Sequence, residues 1–375
     1  MLANIITNIF DQEIWANVPF HFWSVVFFVL GSMVGSFLNV CIYRMPREES
    51  VVSPPSHCPH CKYSIPWYLN VPILTWIILR GKCRNCGAPI SVRYLLVELL
   101  TGCVFLICWL GFGHDSAAVA LTYSLMLAGL ITASAIDFEH FIIPDEITLG
   151  GIGVGFILSL LVPSLHGAQT IPGSLEQSIL GIATGAGLLY GILRLGKLLY
   201  GRQRFDLPSG TRVYFGENGV RLPDREIPYD EIFYRDSDAI RLQARTVEMA
   251  DRCYANVPVR LSPSRLLVGE DEFKPEQTHH LEVLTDEIVL PREAMGLGDV
   301  KFMAAIGAFI GWQGVVFSLM VSAMIGAAIG VSLIAARRGE WSSRLPYGPY
   351  IALAAVLWIF AGDSILKWWI GPLPG

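Results

Sequence analysis

Charge is scarce in this chain. Of its 375 residues, 16% are Asp, Glu, Lys or Arg and 53% are hydrophobic, whereas an ordinary soluble domain carries about 25% charged residues. The shortage excludes a chain solvated by water along its whole length and points to lipid as the solvent for much of it. A nucleic-acid binder is excluded too, because the net charge is −5 and no stretch forms a basic stripe with interleaved aromatics. The positive n-region of a secretory signal is also missing. Asp11 and Glu13 precede the first apolar run and no Lys or Arg does, so that run is expected to be an anchor. Internal repeats and low-complexity tracts are absent. Nor do the eight cysteines form a secreted disulfide framework: four stand as two C-x-x-C pairs in one polar loop, a spacing that suits a metal site.

Long apolar runs are what the chain does have. A bilayer span needs roughly 17–25 residues, and such runs occur at about 21–43, 94–112, 117–137, 147–163, 175–196, 294–312, 314–336 and 349–370. Eight spans are therefore expected. Asp299 and Lys301 interrupt the sixth, and Gly311-Trp312-Gln313-Gly314 predicts a tight turn into the seventh. Lys and Arg stay on the cytoplasmic side of a membrane. An outside N-terminus leaves the outer segments without them, while Arg44, Arg47, Lys62, Arg80, Lys82, Arg84, Arg93, Arg337, Arg338 and Arg344 fall on inner loops. Lys367 alone lies near an outer end, where its side chain can snorkel.

The expected organisation follows. Residues 1–43 form an N-terminal segment and first span, 44–93 a cytoplasmic four-cysteine domain, and 94–196 spans two to five. Residues 197–293 form an inserted cytoplasmic module, and 294–375 carry the last three spans. Alternating runs in the insert, Thr211–Phe215, Ile240–Ala244 and Leu281–Leu284, are separated by turn formers (Glu217-Asn218-Gly219, Pro223-Asp224, Ser262-Pro263) and predict a small β-rich fold.

Acidic groups at membrane depth are costly and are functional candidates for that reason. Asp137 ends the third span, just before Ile143-Pro144-Asp145, and Asp299 lies in Gly296-Leu297-Gly298-Asp299, a turn or two into the sixth. Both fall near the inner face. Two carboxylates sharing one site hold a single proton between them, which supplies a base for water and an acid for a leaving amine. The plainer alternative makes each an interfacial cap or half of an ion pair, Asp299 with Lys301 for example. Lys301 could also tune Asp299. Glu139, His140 and Asp145 read as solvated or capping residues, Asp145 as an N-cap.

Cys58-Pro59-His60-Cys61 and Cys83-Arg84-Asn85-Cys86 bring four thiolates to one closed, structural zinc site. Four ligands suffice, so His57 and His60 are left out. No βαβ pattern surrounds either pair to suggest a redox role. Cys41, Cys103 and Cys108 read as small buried hydrophobes. The small residues of Gly31–Ser36 and Gly181–Gly191 read as helix-packing faces.

In this order the residues resemble the bifunctional prepilin peptidases, or type IV prepilin leader peptidases. The matching segments are Gly35-Ser36-Phe37-Leu38-Asn39-Val40, Tyr43-Arg44-Met45-Pro46, the cysteine pairs, Arg80-Gly81-Lys82-Cys83, Asp137 with Ile143-Pro144-Asp145, Gly296–Lys301, and Pro346-Tyr347-Gly348-Pro349-Tyr350. The resemblance implies an intramembrane aspartic protease of the GxGD type in the bacterial inner membrane, with Asp137 and Asp299 as its catalytic pair. It implies removal of the short basic leader of prepilins and pseudopilins, serving type IV pili or type II secretion, and N-methylation of the new amino terminus by S-adenosylmethionine. It assigns zinc to Cys58, Cys61, Cys83 and Cys86, and in some members links methylation to the residues here numbered Gly81 and Lys82. The insert at 197–293 departs from the family pattern. It could gate Asp299 or dock a pilus or secretion component.

Two rivals come from other classes. A transporter would use the aspartates as proton or cation carriers nearer mid-membrane. A methyltransferase or zinc scaffold without peptidase activity would keep the cysteines and dispense with the aspartates.

Overall fold

In the computed structural model the described residues are 19–216, 218–223, 225–233, 238–275, 278, 281–291, 296–336 and 345–370. Asp11, Glu13, Glu217, Asp224, Arg337, Arg338, Arg344 and the tail 371–375, all invoked above, lie outside them. The chain divides into two compact units, Met1–Leu189 with Leu297–Gly375, and Tyr190–Gly296.

The first unit is helical. Its elements are α1 (Phe20–Arg44), the short α2 (Leu74–Ile78), α3 (Val92–Phe112), α4 (Ala117–His140) and α5 (Asp145–Leu161), with α6 (Ile171–Tyr200) running on into the second unit. After the insert come α8 (Leu297–Ala335) and α9 (Gly348–Ile370), the label α7 being kept for a short helix of the insert. Ser91 and Ser116 cap α3 and α4, each hydroxyl accepting a backbone N–H of the first turn.

Among the described residues, five helices are long and apolar enough to cross a membrane, where the sequence reading counts eight spans. The two counts differ for physical reasons. Helix α5 has only 17 residues, and the apolar part of α9 is Gly348–Gly362. Helix α8, 39 residues in all, is two helices that meet at a sharp kink, where Gly311 has φ 70° and ψ 178°. The turn expected at 311–314 thus falls at Gly311, and it is sharp enough that a Cβ at Gly307 would lie 2.9 Å from Val315 Cγ2. A side chain would be strained at that φ. Polar groups lie near the break: a Cβ at Gly311 would lie 3.7 Å from His166 Nδ1, and His166 Nε2 is 3.1 Å from Ser159 Oγ, whose hydroxyl donates to the Gly155 carbonyl at 2.8 Å.

Lipid offers no hydrophobic drive between helices, so close backbone approach must supply the packing. An added Cβ at Gly181 would strike the Gly307 carbonyl, and one at Gly185 would lie 2.6 Å from the Met303 carbonyl. Gly31, Gly35 and Gly102 do the same for α1 against α3. The packing role expected of the small residues holds there, but Gly187 and Gly191 meet nothing within 4 Å. Helix α4 sits centrally, packing against α1, α3, α5, α8 and α9.

The second unit is an eight-stranded antiparallel sheet in the order β3-β2-β1-β8-β4-β5-β6-β7. Its strands are β1 (Arg202–Phe215), β2 (Gly219–Arg221), β3 (Glu226–Pro228), β4 (Ile240–Met249), β5 (Cys253–Leu261), β6 (Leu266–Val268), β7 (Asp271–Phe273) and β8 (Leu281–Pro291), with α7 (Tyr229–Ile232) after β3. All three alternating runs lie within these strands, in β1, β4 and β8. The alternation buries Ile240, Leu242 and Ala244 of β4 against Val213, Val259, Val283 and Ile288, and turns Arg241, Gln243 and Arg245 outward. Strands β1 and β8 pair from Arg202↔Pro291 to Phe215↔Leu281, so the chain enters and leaves this unit at adjacent points.

Candidate active site and metal centre

Asp137 stands one turn from the end of α4 and is 5% exposed. Its Oδ2 accepts the backbone N–H of Gly348 at 2.8 Å, at the first residue of α9. A Cβ at Gly348 would lie 2.9 Å from that oxygen and 3.2 Å from Ile143 Cδ1. Only glycine allows the chain so close to the carboxylate.

Asp299 lies in the first turn of α8 and is half-buried. The expectation of one or two turns' depth is therefore at its shallow limit. The helix N-terminus favours an anion there. Gly298, its neighbour, faces Ile143, and a Cβ added there would lie 3.5 Å from Ile143 Cβ. Ile143 thus touches both Gly298 and Gly348. The Tyr347 hydroxyl is within electrostatic range of Asp299 and the Tyr350 hydroxyl within range of Asp137, and their rings meet edge-on with centroids 6.3 Å apart. Tyr347 is fixed further by a 2.9 Å hydrogen bond with Ser322 Oγ. Residues 162 apart in sequence therefore flank one short segment, Tyr347-Gly348-Pro349-Tyr350.

Two expectations change. Lys301 does not pair with Asp299: its Nζ reaches both oxygens of Asp145, at 2.7 and 2.9 Å. Nor does Asp145 cap α5, since Pro144 holds the N-cap position with no side-chain hydrogen bond and Asp145 is the first helical residue. Glu139 pairs with Arg93, tying the end of α4 to the start of α3. Tyr347, Gly348, Tyr350 and Ile143 were not singled out as site residues by their chemistry. The Pro346–Tyr350 motif was the one signal that could have found three of them.

The cysteine loop folds as two copies of one hairpin. Cys58 N–H donates to Tyr63 O and Cys83 N–H to Ala88 O, while Lys62 N–H returns to Cys58 O and Gly87 N–H to Cys83 O. Lys62 and Gly87, each following the second cysteine of its pair, have φ of 57° and 72°. The hairpins face each other, so that all four Sγ atoms lie within 4.8 Å of one another. Cys58 and Cys86 are 3.8 Å apart, and Cys61 and Cys83 4.0 Å. Four sulfurs at about 2.3 Å from a tetrahedral zinc are about 3.8 Å apart, so the donor set fits that ion.

Hydrogen bonds, the Asn85 amide's first, hold the Cys61 thiol down at about 6. Backbone N–H groups of Cys86 and Asn85 lower Cys83 as well. At Cys86 the Ala88 N–H acts downward, but desolvation and the neighbouring thiols outweigh it and push it up to about 11. Four thiolates this close need a cation between them. His57 instead lies 3.0 Å from the Pro55 carbonyl through Nδ1. Gly81 precedes the second hairpin at φ 66°, where a Cβ would lie 2.8 Å from the Trp76 ring; Lys82 bridges to Pro89. Cys41 and Cys108 are buried as expected, but Cys103 is only half-buried.

Comparison with known proteins adds an independent line. Residues 29–112 match the family described as bacterial peptidase A24 N-terminal domain, and residues 124–204 with 281–331 match the type IV leader peptidase family. Together these cover more than half of the chain, and 205–280 lies outside both. A prepilin leader peptidase/N-methyltransferase of Aeromonas hydrophila is 27% identical over 96% of this chain and 97% of its own. One from Myxococcus xanthus (strain DK1622) is 45% identical over 38% of this chain and 43% of its own. A type 4 prepilin-like proteins leader peptide-processing enzyme of Escherichia coli O78:H11 is 37% identical over 43% of this chain and 64% of its own. No solved structure matches.

Proposed function

Because the chain belongs to the type IV leader peptidase family, we propose that it is a membrane aspartic endopeptidase that cuts the basic leader from type IV prepilins and pseudopilins, with Asp137 and Asp299 as catalytic pair. The same chain N-methylates the new amino terminus. The observation that supports the reading is that Asp137 accepts the Gly348 N–H while Asp299 acts electrostatically on the adjoining Tyr347.

The chemistry follows from one proton held between two carboxylates. The ionised aspartate takes a proton from water as the water oxygen bonds to the scissile carbonyl carbon. The protonated one gives its proton to the carbonyl oxygen. Collapse of the resulting diol breaks the C–N bond, with a proton returned to the departing amine. Gly348 N–H holds Asp137 in place, and the Tyr347–Tyr350 pair walls the site. A leader rich in positive charge is drawn to these acids at the inner face, while the apolar part of the substrate stays in the bilayer.

Zinc held by Cys58, Cys61, Cys83 and Cys86 supplies the covalent tie that fixes the two hairpins to each other. S-adenosylmethionine supplies the methyl group for the second activity, to which Gly81 and Lys82 contribute by shaping the segment before Cys83. The chain lies in the bacterial cytoplasmic membrane with its N-terminus outside, and both the cysteine loop (44–93) and the insert (197–293) are cytoplasmic. The insert is a docking module for pilus or secretion components.

Cleavage of a prepilin by the purified protein tests this. Asp137→Ala and Asp299→Ala should each lose about 10³-fold in rate, within the range of general acid–base catalysis, while Cys58→Ser loses metal and stability first. Cutting by both aspartate variants at the wild-type rate would refute the peptidase assignment.

A further inference from the structure

A cavity of about 890 Å³ lies between α1 and the cysteine loop. One wall is the α1 face from Phe28 through Met33 and Phe37 to Arg44, and the other is the loop around Trp67 and Leu74. Two features set it apart. Arg44 is 7% exposed, and its guanidinium donates to the Ser50 and Pro54 carbonyls at 2.9 and 2.7 Å. Among the described residues no carboxylate answers its charge, and three of its five N–H groups remain for another acceptor. A buried cation in that state is costly unless an anion joins it.

The second feature is the loop's outer rim. Trp67 is 85% exposed, Leu74 58% and Ile78 76%. Water is a poor solvent for such a surface, whereas the interfacial zone of a bilayer favours aromatic and apolar side chains there. The cavity is therefore continuous with the lipid-facing side of α1, where Met33 and Phe37 are both more than half exposed.

We propose that this groove binds a phospholipid, its phosphate on Arg44 and one acyl chain along Phe37 and Met33. The dimensions agree. Arg44 comes eleven positions after Met33, about 16 Å of helix at 1.5 Å per residue, and one leaflet of hydrocarbon is about 15 Å deep. Arg44, at the end of its helix, sits at headgroup level while the chain stays at acyl depth. The lipid thereby forms part of the wall that seats the cysteine loop against α1.

The test uses the full chain in phosphatidylcholine vesicles doped with a phosphatidylglycerol that carries a photoreactive group in mid-chain. After illumination, lipid adducts are mapped by mass spectrometry of the digested protein. They should concentrate between Phe28 and Phe37 and in the 67–78 loop. Arg44→Gln should reduce them about tenfold, the loss expected for a hydrogen bond to a charged group. Ser36→Trp fills the groove without touching Arg44 and should do the same, which keeps the test sound if the Arg44 variant unfolds the loop. Adducts spread evenly over all lipid-facing helices and unchanged in both variants would overturn the proposal. So would their displacement by free inorganic phosphate, or by an equimolar apolar prepilin segment, since each would assign the groove to a different occupant.

Discussion

In the helical unit, backbones meet backbones at Gly181, Gly185, Gly31 and Gly35, and buried charge is confined to a few places such as Asp137, Glu98 and Arg44. In the inserted sheet, Val213, Val283, Ile288 and Leu266 fill a core of ordinary side chains, and charge covers the opposite face in pairs such as Arg212–Glu282 and Arg245–Asp286. One unit is built for lipid and the other for water. The family matches leave out 205–280, most of the sheet, but take in its last strand, β8. The sheet has a core of its own side chains, separate from the helical packing.

That division can be broken experimentally. Because Arg202 and Pro291 are paired neighbours, residues 203–290 can be excised and Arg202 joined to Pro291. Prepilin cleavage by the excised protein should stay within about threefold of wild type, against the ~10³-fold losses of the aspartate variants. A collapse of activity would make the sheet part of the catalytic unit. Next in size, Gly181→Leu should cost about 3 kcal/mol or more, because a side chain cannot enter a contact closed by the Gly307 backbone. Thermal melting in detergent would show it, and hydrogen exchange in the sheet should not change. Val283→Ala should do the reverse, costing about 2–3 kcal/mol in protection of the β8 amides while leaving cleavage alone.

A smaller effect concerns pH. Burial holds His166 at about 4 against its ordinary 6.5, the Ala308 backbone contact opposing only in part. As pH falls from about 6.5 toward 4, the unfolded chain takes up a proton that the folded unit refuses, so stability declines over that window. His166→Asn should flatten the decline in a pH series of melting curves. Smallest is salt. If acids at the inner face attract the basic leader, its processing should slow as ionic strength rises, and a salt-insensitive rate would remove that attraction from the account.

Much of this was legible in the chain. Hydropathy marked the helices within a few residues, period-two alternation marked β1, β4 and β8, and C-x-x-C spacing marked the four thiols. What failed depended on partners far away in sequence. Asp145 looked like a cap because its neighbours are local, but its carboxylate belongs to Lys301, 156 residues on. Lys301 stands only two residues from Asp299, yet its ammonium is held by Asp145. Tyr347 and Tyr350 carry no charge and follow no acidic signal, and only folding brings them within electrostatic range of the aspartates. The turn expected at 311–314 did come from local sequence, because the positive φ of Gly311 needs only the glycine itself.

The most direct test is to replace both aspartates with cysteine and measure thiol cross-linking in membranes. Asp145→Cys with Lys301→Cys serves as the positive control, since those side chains meet at 2.7 Å, and each single variant controls for the native thiols. Rapid intramolecular linkage of the Asp137→Cys/Asp299→Cys protein is the predicted result. A control that links while the aspartate pair does not, with any short reagent, would contradict a shared site.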